Sequence, residues 1–211
     1  SNSKKMFFSS DGILYKNLKS SLKKSENSDL NEFFLRVKKL NLRNSVFIDN
    51  TANSDVASTY TKYLKNNIGV VTCNKIACSD NYENYIKLKN FSKKYNTPFL
   101  FETNVGAGLP IIDTLNHLIT SGDKIQKIQA ILSGSLNFIF NNYNTIRSFR
   151  DVVYDAMEKG YTEPDPKIDL SGVDVSRKIL ILARECGHKI ELGDVVNYKF
   201  LSDDCLNSIN N

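Results

Sequence analysis

Between Leu30 and Phe101 the sequence switches repeatedly between two periodicities, and this alternation constrains the fold more than any other feature of the chain. Leu30, Phe33, Phe34, Val37 and Leu40 recur at helical spacing behind the cap candidates Ser28 and Asp29. The run Ser45–Asp49 (SVFID) then has the length and apolar content of a buried strand. Val56, Tyr60, Tyr63 and Leu64 form a second helical stripe, opened by Asn53 and Ser54, and Gly69–Thr72 (GVVT) reads as the next strand. A helix is expected over 81–95, and Pro98–Phe101 (PFLF) reads as a third strand. Strands that alternate with amphipathic helices pair in parallel, because each helical crossover returns the chain to run in the same direction.

The pattern breaks at Val105–Pro110 (VGAGLP). Pro110 suits the first turn of a helix reaching about Thr120, and Lys124–Leu132 reads as a strand. Phe149, Val152, Val153, Ala156 and Met157 mark a helix that stops at Gly160. A long helix begins near Val173 and ends at Gly187, and Val195–Phe200 has the pattern of a further strand. The expectation is therefore an α/β chain: a parallel-sheet domain over residues 1–105, followed by an α+β domain with a mixed sheet over 106–211.

Composition narrows the function classes. The chain has 211 residues, 41% of them hydrophobic, which is enough to bury a core without covalent staples. No run of about eighteen apolar residues is present, so no membrane-spanning helix is expected, and the polar first residues lack the apolar stretch of a secretory signal. The formal charge of +5 comes from lysines interleaved with asparagines and acids, as at Lys23-Lys24, Lys38-Lys39 and Lys93-Lys94. These read as solvated helix faces, without the aromatic platforms that a nucleic-acid groove needs, and the surplus positive charge also suits an enzyme that handles an anionic cofactor. Cys73, Cys78, Cys186 and Cys205 form no C-x-x-C pair, and His117 and His188 are the only histidines, which gives a structural zinc site little support. Unbridged thiols in a cytoplasmic protein are the expectation.

Five segments carry candidate chemistry. In Gly160–Lys178 (GYTEPDPKIDLSGVDVSRK) a helix ends at a glycine and a proline-rich turn holds Glu163, Asp165 and Asp169. The next helix carries Asp174 and Lys178 four residues apart, on one face. Acids at this density suit an ammonium ligand, and a lysine among them suits proton transfer. Asp174 and Lys178 taken alone are better read as an exposed helix pair. Thr72–Lys75 (TCNK) and Asp49–Thr51 (DNT) each follow a strand, at the edge where open α/β sheets bind ligands. Lys75 there reaches an anion or remains a solvated loop lysine, and the second segment either faces a ligand or caps the next helix. Glu102–Pro110 (ETNVGAGLP) combines an acid with an irregular glycine-rich path whose carbonyls suit a hard cation. On spacing alone a domain-crossing turn is favoured. Leu132–Ser135 (LSGS) either lines a cofactor or caps the next helix, and capping is favoured.

Together these segments resemble homoserine dehydrogenases. FIDNT (Phe47–Thr51), TCNK (Thr72–Lys75), TNVGAGLPII (Thr103–Ile112), ILSGSLNFIF (Ile131–Phe140), GYTEPDP (Gly160–Pro166) and DLSGVDVSRK (Asp169–Lys178) occur in that family's order over nearly the whole chain. The early part looks more like the dehydrogenase half of fused aspartokinase–homoserine dehydrogenases than like stand-alone enzymes. The resemblance implies a Rossmann-like NAD(P)-binding domain before the substrate and dimerisation domain. It also implies interconversion of L-homoserine and L-aspartate 4-semialdehyde in threonine and methionine synthesis. By the same resemblance Lys178 is the general acid/base, Lys75 lies near cofactor and reacting group, and Glu163 and Asp174, with Asp169 nearby, take the substrate's amino end. Thr51, Lys75 and Gly160 are the cofactor contacts, NADP or NAD, while Glu102, Val105, Ala107 and Leu109 hold a monovalent cation, sodium. The implied partners are a small amino-acid substrate, a second copy in a homodimer, and a covalently fused aspartokinase.

Measured against that family, the chain lacks a G-x-G-x-x-G turn with its first βα unit, and also a C-terminal segment. A fragment truncated at both ends, with weakened NAD(P)H binding, is the expectation. The alternative is a catalytically silent interaction or regulatory module derived from such an enzyme. Cys73 stands where the family usually has proline, and Ile168 replaces a common acid.

Overall fold

The computed structural model describes residues 1–163 and 165–208; Pro164 of the GYTEPDP motif and residues 209–211 lie outside the described residues. The chain begins with strand β1 (Lys5–Met6), helix α1 (Leu18–Lys23), strand β2 (Glu26–Asn27) and helix α2 (Leu30–Leu40). It continues through β3 (Val46–Asp49), α3 (Ser54–Ser58), α4 (Tyr60–Leu64), β4 (Gly69–Thr72), α5 (Ile76–Ser79), α6 (Tyr82–Lys94) and β5 (Phe99–Leu100). The remaining elements are helical: α7 (Thr103–Gly106), α8 (Ile111–Thr120), α9 (Gly134–Asn142), α10 (Phe149–Glu158), α11 (Pro166–Leu170), α12 (Val173–Glu185) and α13 (Asp203–Ser208). Two compact units result. The first comprises Ser1–Asp49, Ser54–Val71 and Leu88–Phe99; the second comprises Asn50–Asn53, Thr72–Lys87 and the chain from Leu100 onward.

In the first unit, β1 and β2 form an antiparallel ribbon, and a parallel sheet has the order β3-β4-β5. Helix α2 starts where Asp29 accepts the N–H groups of Asn31 and Glu32, and it stops at Asn41 in the left-handed region. The core is aromatic. Phe47 of β3 stacks on Tyr63 with ring centroids 4.1 Å apart, and Tyr60 and Tyr63 are fully buried. The other face of β3 is open: Val46 and Ile48 are 52% and 63% exposed. The strand expected to be buried is thus an edge strand covered on its Phe47 side. The stripe Val56–Leu64 is two helices rather than one, because the hydroxyl of Thr59 donates to the Val56 carbonyl and the chain breaks there.

In the second unit, Ile139, Val152, Val153, Ala156 and Leu170 bring α9, α10 and α11 into one core. Leu180, Ile181 and Leu182 of α12 are also buried, and α12 packs against α5, α7 and α8. The α/β class is as expected, but the two strands foreseen in the second half are not formed among the described residues. Residues 124–132 and 195–200 run as irregular chain, with Ile131 81% and Tyr198 90% exposed. Their β-branched and aromatic content suits a strand, but a strand also needs a neighbour to accept its main-chain bonds, and neither segment has one among the described residues.

Candidate active site

The loop after β4 is fastened from several sides. Thr72 Oγ1 accepts the Asn74 N–H at 2.8 Å, and Asn74 Oδ1 accepts the Ile76 N–H at 3.1 Å, where α5 begins. Asn74 Nδ2 donates to the Asn53 carbonyl at 2.9 Å, in the loop that follows β3. Lys75 therefore leaves a fixed backbone at the start of α5. Its Nζ lies 3.3 Å from Asp174 Oδ1, in the first turn of α12. One helical turn on, Lys178 Nζ lies 2.8 Å from Asp174 Oδ2 and donates to the Leu132 carbonyl at 2.8 Å.

One carboxylate thus bridges two ammonium groups, and the side chains of Lys75, Asp174 and Lys178 are 26%, 23% and 15% exposed. Burial by itself pushes the Asp174 carboxyl up. The hydrogen bond from Lys178 and the charges of Lys75 and Lys178 together outweigh burial and hold the group below the usual carboxylate range. Gly172 sets the entry to α12 with φ of +73°. Any β-carbon there would lie 3.0 Å from the Asn197 side-chain amide.

A second cluster forms around Asp169, which is buried within α11. Its Oδ1 accepts the Ser135 hydroxyl at 2.6 Å and its Oδ2 accepts the Glu163 N–H at 2.9 Å. Ser133 caps α9 by accepting the Leu136 N–H at 3.1 Å, and lies 3.0 Å from the Ser135 oxygen. Asp165 caps α11 by accepting the Lys167 N–H at 3.0 Å. Asp169 consequently pins the main chain at Glu163. The Glu163 side chain is exposed and makes no hydrogen bond or ion pair among the described residues.

The remaining sequence candidates are more scattered. Thr51 is exposed, and its hydroxyl oxygen accepts the Asn53 N–H at 3.2 Å. Gly160 ends α10 with φ of +71° and open space on its Cβ side. Glu102 caps α8: Oε1 accepts the Ile112 N–H at 2.7 Å and Oε2 the Asp113 N–H at 2.8 Å. Val105 is buried, Ala107 has φ of +51° and Leu109 is exposed. Three contributors were not read from the sequence: the Leu132 carbonyl, the Ser135 hydroxyl as a partner of Asp169, and the buried Asn74. A main-chain carbonyl carries no residue signal. The serine and the asparagine each sit inside a segment already singled out, but only burial distinguishes their roles.

Residues 6–102 match a family model described as homoserine dehydrogenase, NAD binding domain, and residues 110–203 match one described as homoserine dehydrogenase. The chain belongs to the homoserine dehydrogenase family. Across 195 residues it is 46% identical to the chloroplastic bifunctional aspartokinase/homoserine dehydrogenase 2 of Arabidopsis thaliana, covering 92% of this chain and 21% of that one. A Candida auris protein whose crystal structure is titled as of unknown function superposes with a TM-score of 0.84 at 34% identity, covering 96% of this chain and 58% of that one. A hyperthermophilic archaeal homoserine dehydrogenase solved in complex with NADPH gives a TM-score of 0.68 at 26% identity, with coverages of 82% and 53%. The chain therefore spans about a fifth of the Arabidopsis relative and somewhat over half of either structure.

Proposed function

We propose that the protein is an NAD(P)-dependent homoserine dehydrogenase, interconverting L-homoserine and L-aspartate 4-semialdehyde for threonine and methionine synthesis. The observation that carries this reading, in a chain of that family, is the carboxylate of Asp174 held between the ammonium groups of Lys75 and Lys178. The domain division proposed is a cofactor domain over 1–105 and a substrate domain over 106–211, in keeping with model matches that end at 102 and resume at 110.

The nicotinamide, when bound, supplies the hydride to the aldehyde carbon. The residues fit such a group: the loops after β3 and β4 are tied together by Asn74, at the strand ends where open α/β sheets bind cofactors. Thr51, Lys75 and Gly160 would contact it. Lys178 is the general acid. An ammonium has three N–H groups; two have partners in Leu132 and Asp174, and the third serves the substrate oxygen. As negative charge grows on that oxygen, Lys178 stabilises it and passes over a proton; in the oxidising direction the same nitrogen takes the proton back. Lys75 adds a second positive charge beside the reacting group. Glu163 and Asp174 present carboxylates to the substrate's amino end, and Asp169 sets the Glu163 backbone from behind.

A sodium ion at Glu102, Val105, Ala107 and Leu109 is proposed on donor chemistry alone. The set offers only oxygens, which suits a hard cation, but both Glu102 oxygens also cap α8. A homodimer, a fused aspartokinase and a cytoplasmic location complete the proposal. Among the described residues no helix is long and apolar enough to cross a membrane. The test is NADPH consumption with aspartate semialdehyde by the full-length protein. Lys178→Ala is expected to cut kcat on the order of 10²-fold or more while leaving substrate binding within a few-fold. Near-normal turnover in that variant sinks the assignment.

A further inference from the structure

We infer that Asn104 is a positioning residue for Lys75: its buried amide fastens the main chain of the Thr72–Asn74 segment and so fixes where the Lys75 side chain departs. The inference rests on the reading of Lys75 as a member of the reacting site. Asn104 lies in α7 and is 0% exposed. In one orientation its amide donates to the Asn74 carbonyl at 3.4 Å; in the other, Nδ2 donates to the Thr72 and Cys73 carbonyls, both at 3.1 Å. Carbonyl oxygens only accept, so the orientation that offers its NH2 group to two of them is the better one. In both cases the partner is the backbone immediately before Lys75.

Asn74, itself 1% exposed, holds the same loop through its bonds to Asn53 and Ile76. Two buried amides therefore clamp a short loop whose single projecting cation meets Asp174. A lysine has four rotatable side-chain bonds, and its entropy opposes a fixed ion pair unless its root is immobile. Asn104 makes the root immobile from outside the loop. Neither its main-chain N–H, which goes to Phe101, nor its place in α7 requires an amide side chain. A leucine would fill comparable volume without donating.

The test uses Asn104→Ala and Asn104→Leu, each alone and combined with Lys75→Met. In the full chain, the Asp174 carboxyl is titrated by carbon-13 NMR. Either Asn104 variant is expected to raise its midpoint in the direction Lys75→Met does, and the combined variants to show no rise beyond Lys75→Met. In the full-length protein, either Asn104 variant is expected to lower kcat on the order of 10-fold with KM little changed, and to add nothing to Lys75→Met. An unchanged Asp174 titration, additive losses, or wild-type behaviour in Asn104→Leu overturns the inference, the last by showing that volume alone was needed. Absence of dehydrogenase activity in the unsubstituted protein would instead remove the functional reading, and the titration would still decide the role of Asn104.

Discussion

Arg184 offers the sharpest test of how the second unit is held together. Its guanidinium is 0% exposed and donates to three acceptors: the Cys78 carbonyl at 2.8 Å, the Ile190 carbonyl at 3.1 Å and Glu191 Oε2 at 2.8 Å. It also lies 5.6 Å from the ring centre of Tyr82 and 5.5 Å from that of Tyr85. Arg184→Leu keeps the apolar stem and removes the fork. Taking the charged donor away from the buried Cys78 carbonyl costs about 1–3 kcal/mol. The pair with Glu191, whose side chain is 49% exposed, contributes little, about 0–1 kcal/mol. Each ring contact adds about 0.5–1 kcal/mol, and relief of the guanidinium's own desolvation offsets part of the total. The net expectation is a loss of about 3 kcal/mol, a large share of the ~5–15 kcal/mol available to a domain. Urea unfolding followed by circular dichroism should show the midpoint falling by about 1 M or more with the slope unchanged. Arg184→Lys, which keeps the charge but loses the fork, should fall in between. A loss below about 1 kcal/mol for the leucine variant would refute the reasoning, because it would mean that the Cys78 carbonyl finds another donor or that desolvation cancels the fork. The consequence reaches the candidate site: Cys78 belongs to α5, which Lys75 opens, and Arg184 to α12, which carries Asp174 and Lys178.

Substitutions at three further positions have expected outcomes. Asp174→Asn should lower kcat on the order of 10²-fold by releasing both lysines. Because the folded carboxyl of Asp174 lies below its unfolded value of 3.8, its contribution to stability is present above that pH and is lost as pH falls further; urea midpoints measured from pH 5 downward should fall less steeply in Asp174→Asn than in the parent. Ser135→Ala should cost about 1–3 kcal/mol in urea unfolding, since it leaves the buried Asp169 short of a donor, and Ser135→Thr should recover most of it. Gly172→Ala should cost about 1–2 kcal/mol from its left-handed backbone, plus a contact term with Asn197 that Asn197→Ala removes; equal losses in both backgrounds would show that the contact contributes nothing.

Helices were legible wherever an apolar stripe and its end signals coincided. Asp29 opens α2, and Gly160 and Gly187 stand beyond α10 and α12, because capping is settled by neighbours in the chain. Strands were less legible, since periodicity specifies a face and not a partner. Residues 124–132 carry β-branched Ile125, Ile128 and Ile131, but the Leu132 carbonyl goes to Lys178 instead of to a second strand. The same limit applies to β3, whose apolar run says nothing of the cover that Val46 and Ile48 lack. Asp174 with Lys178 could be placed on one face from helix geometry alone, whereas the approach of Lys75 depends on how α5 packs against α12 and is carried by no local pattern.

The acids of Gly160–Lys178 make the point at finer grain. In the sequence Glu163, Asp165, Asp169 and Asp174 are equivalent carboxylates within a short span, all able to receive an ammonium ligand. The structure gives them different partners. Asp165 accepts a helix N–H, Asp169 is buried against Ser135 and the Glu163 backbone, and Asp174 lies between two lysines. Glu163 is left with an exposed carboxylate that has no partner among the described residues, on a backbone that Asp169 fixes. A carboxylate with no internal cation loses no existing ion pair when it meets a substrate ammonium, whereas Asp174 must share one already neutralised twice over. Glu163→Gln should therefore raise KM for the amino substrate more than it lowers kcat, and Asp174→Asn the reverse. Steady-state kinetics of the two variants in the full-length protein decide the matter, and equal effects on both constants would show that the two acids act as one group.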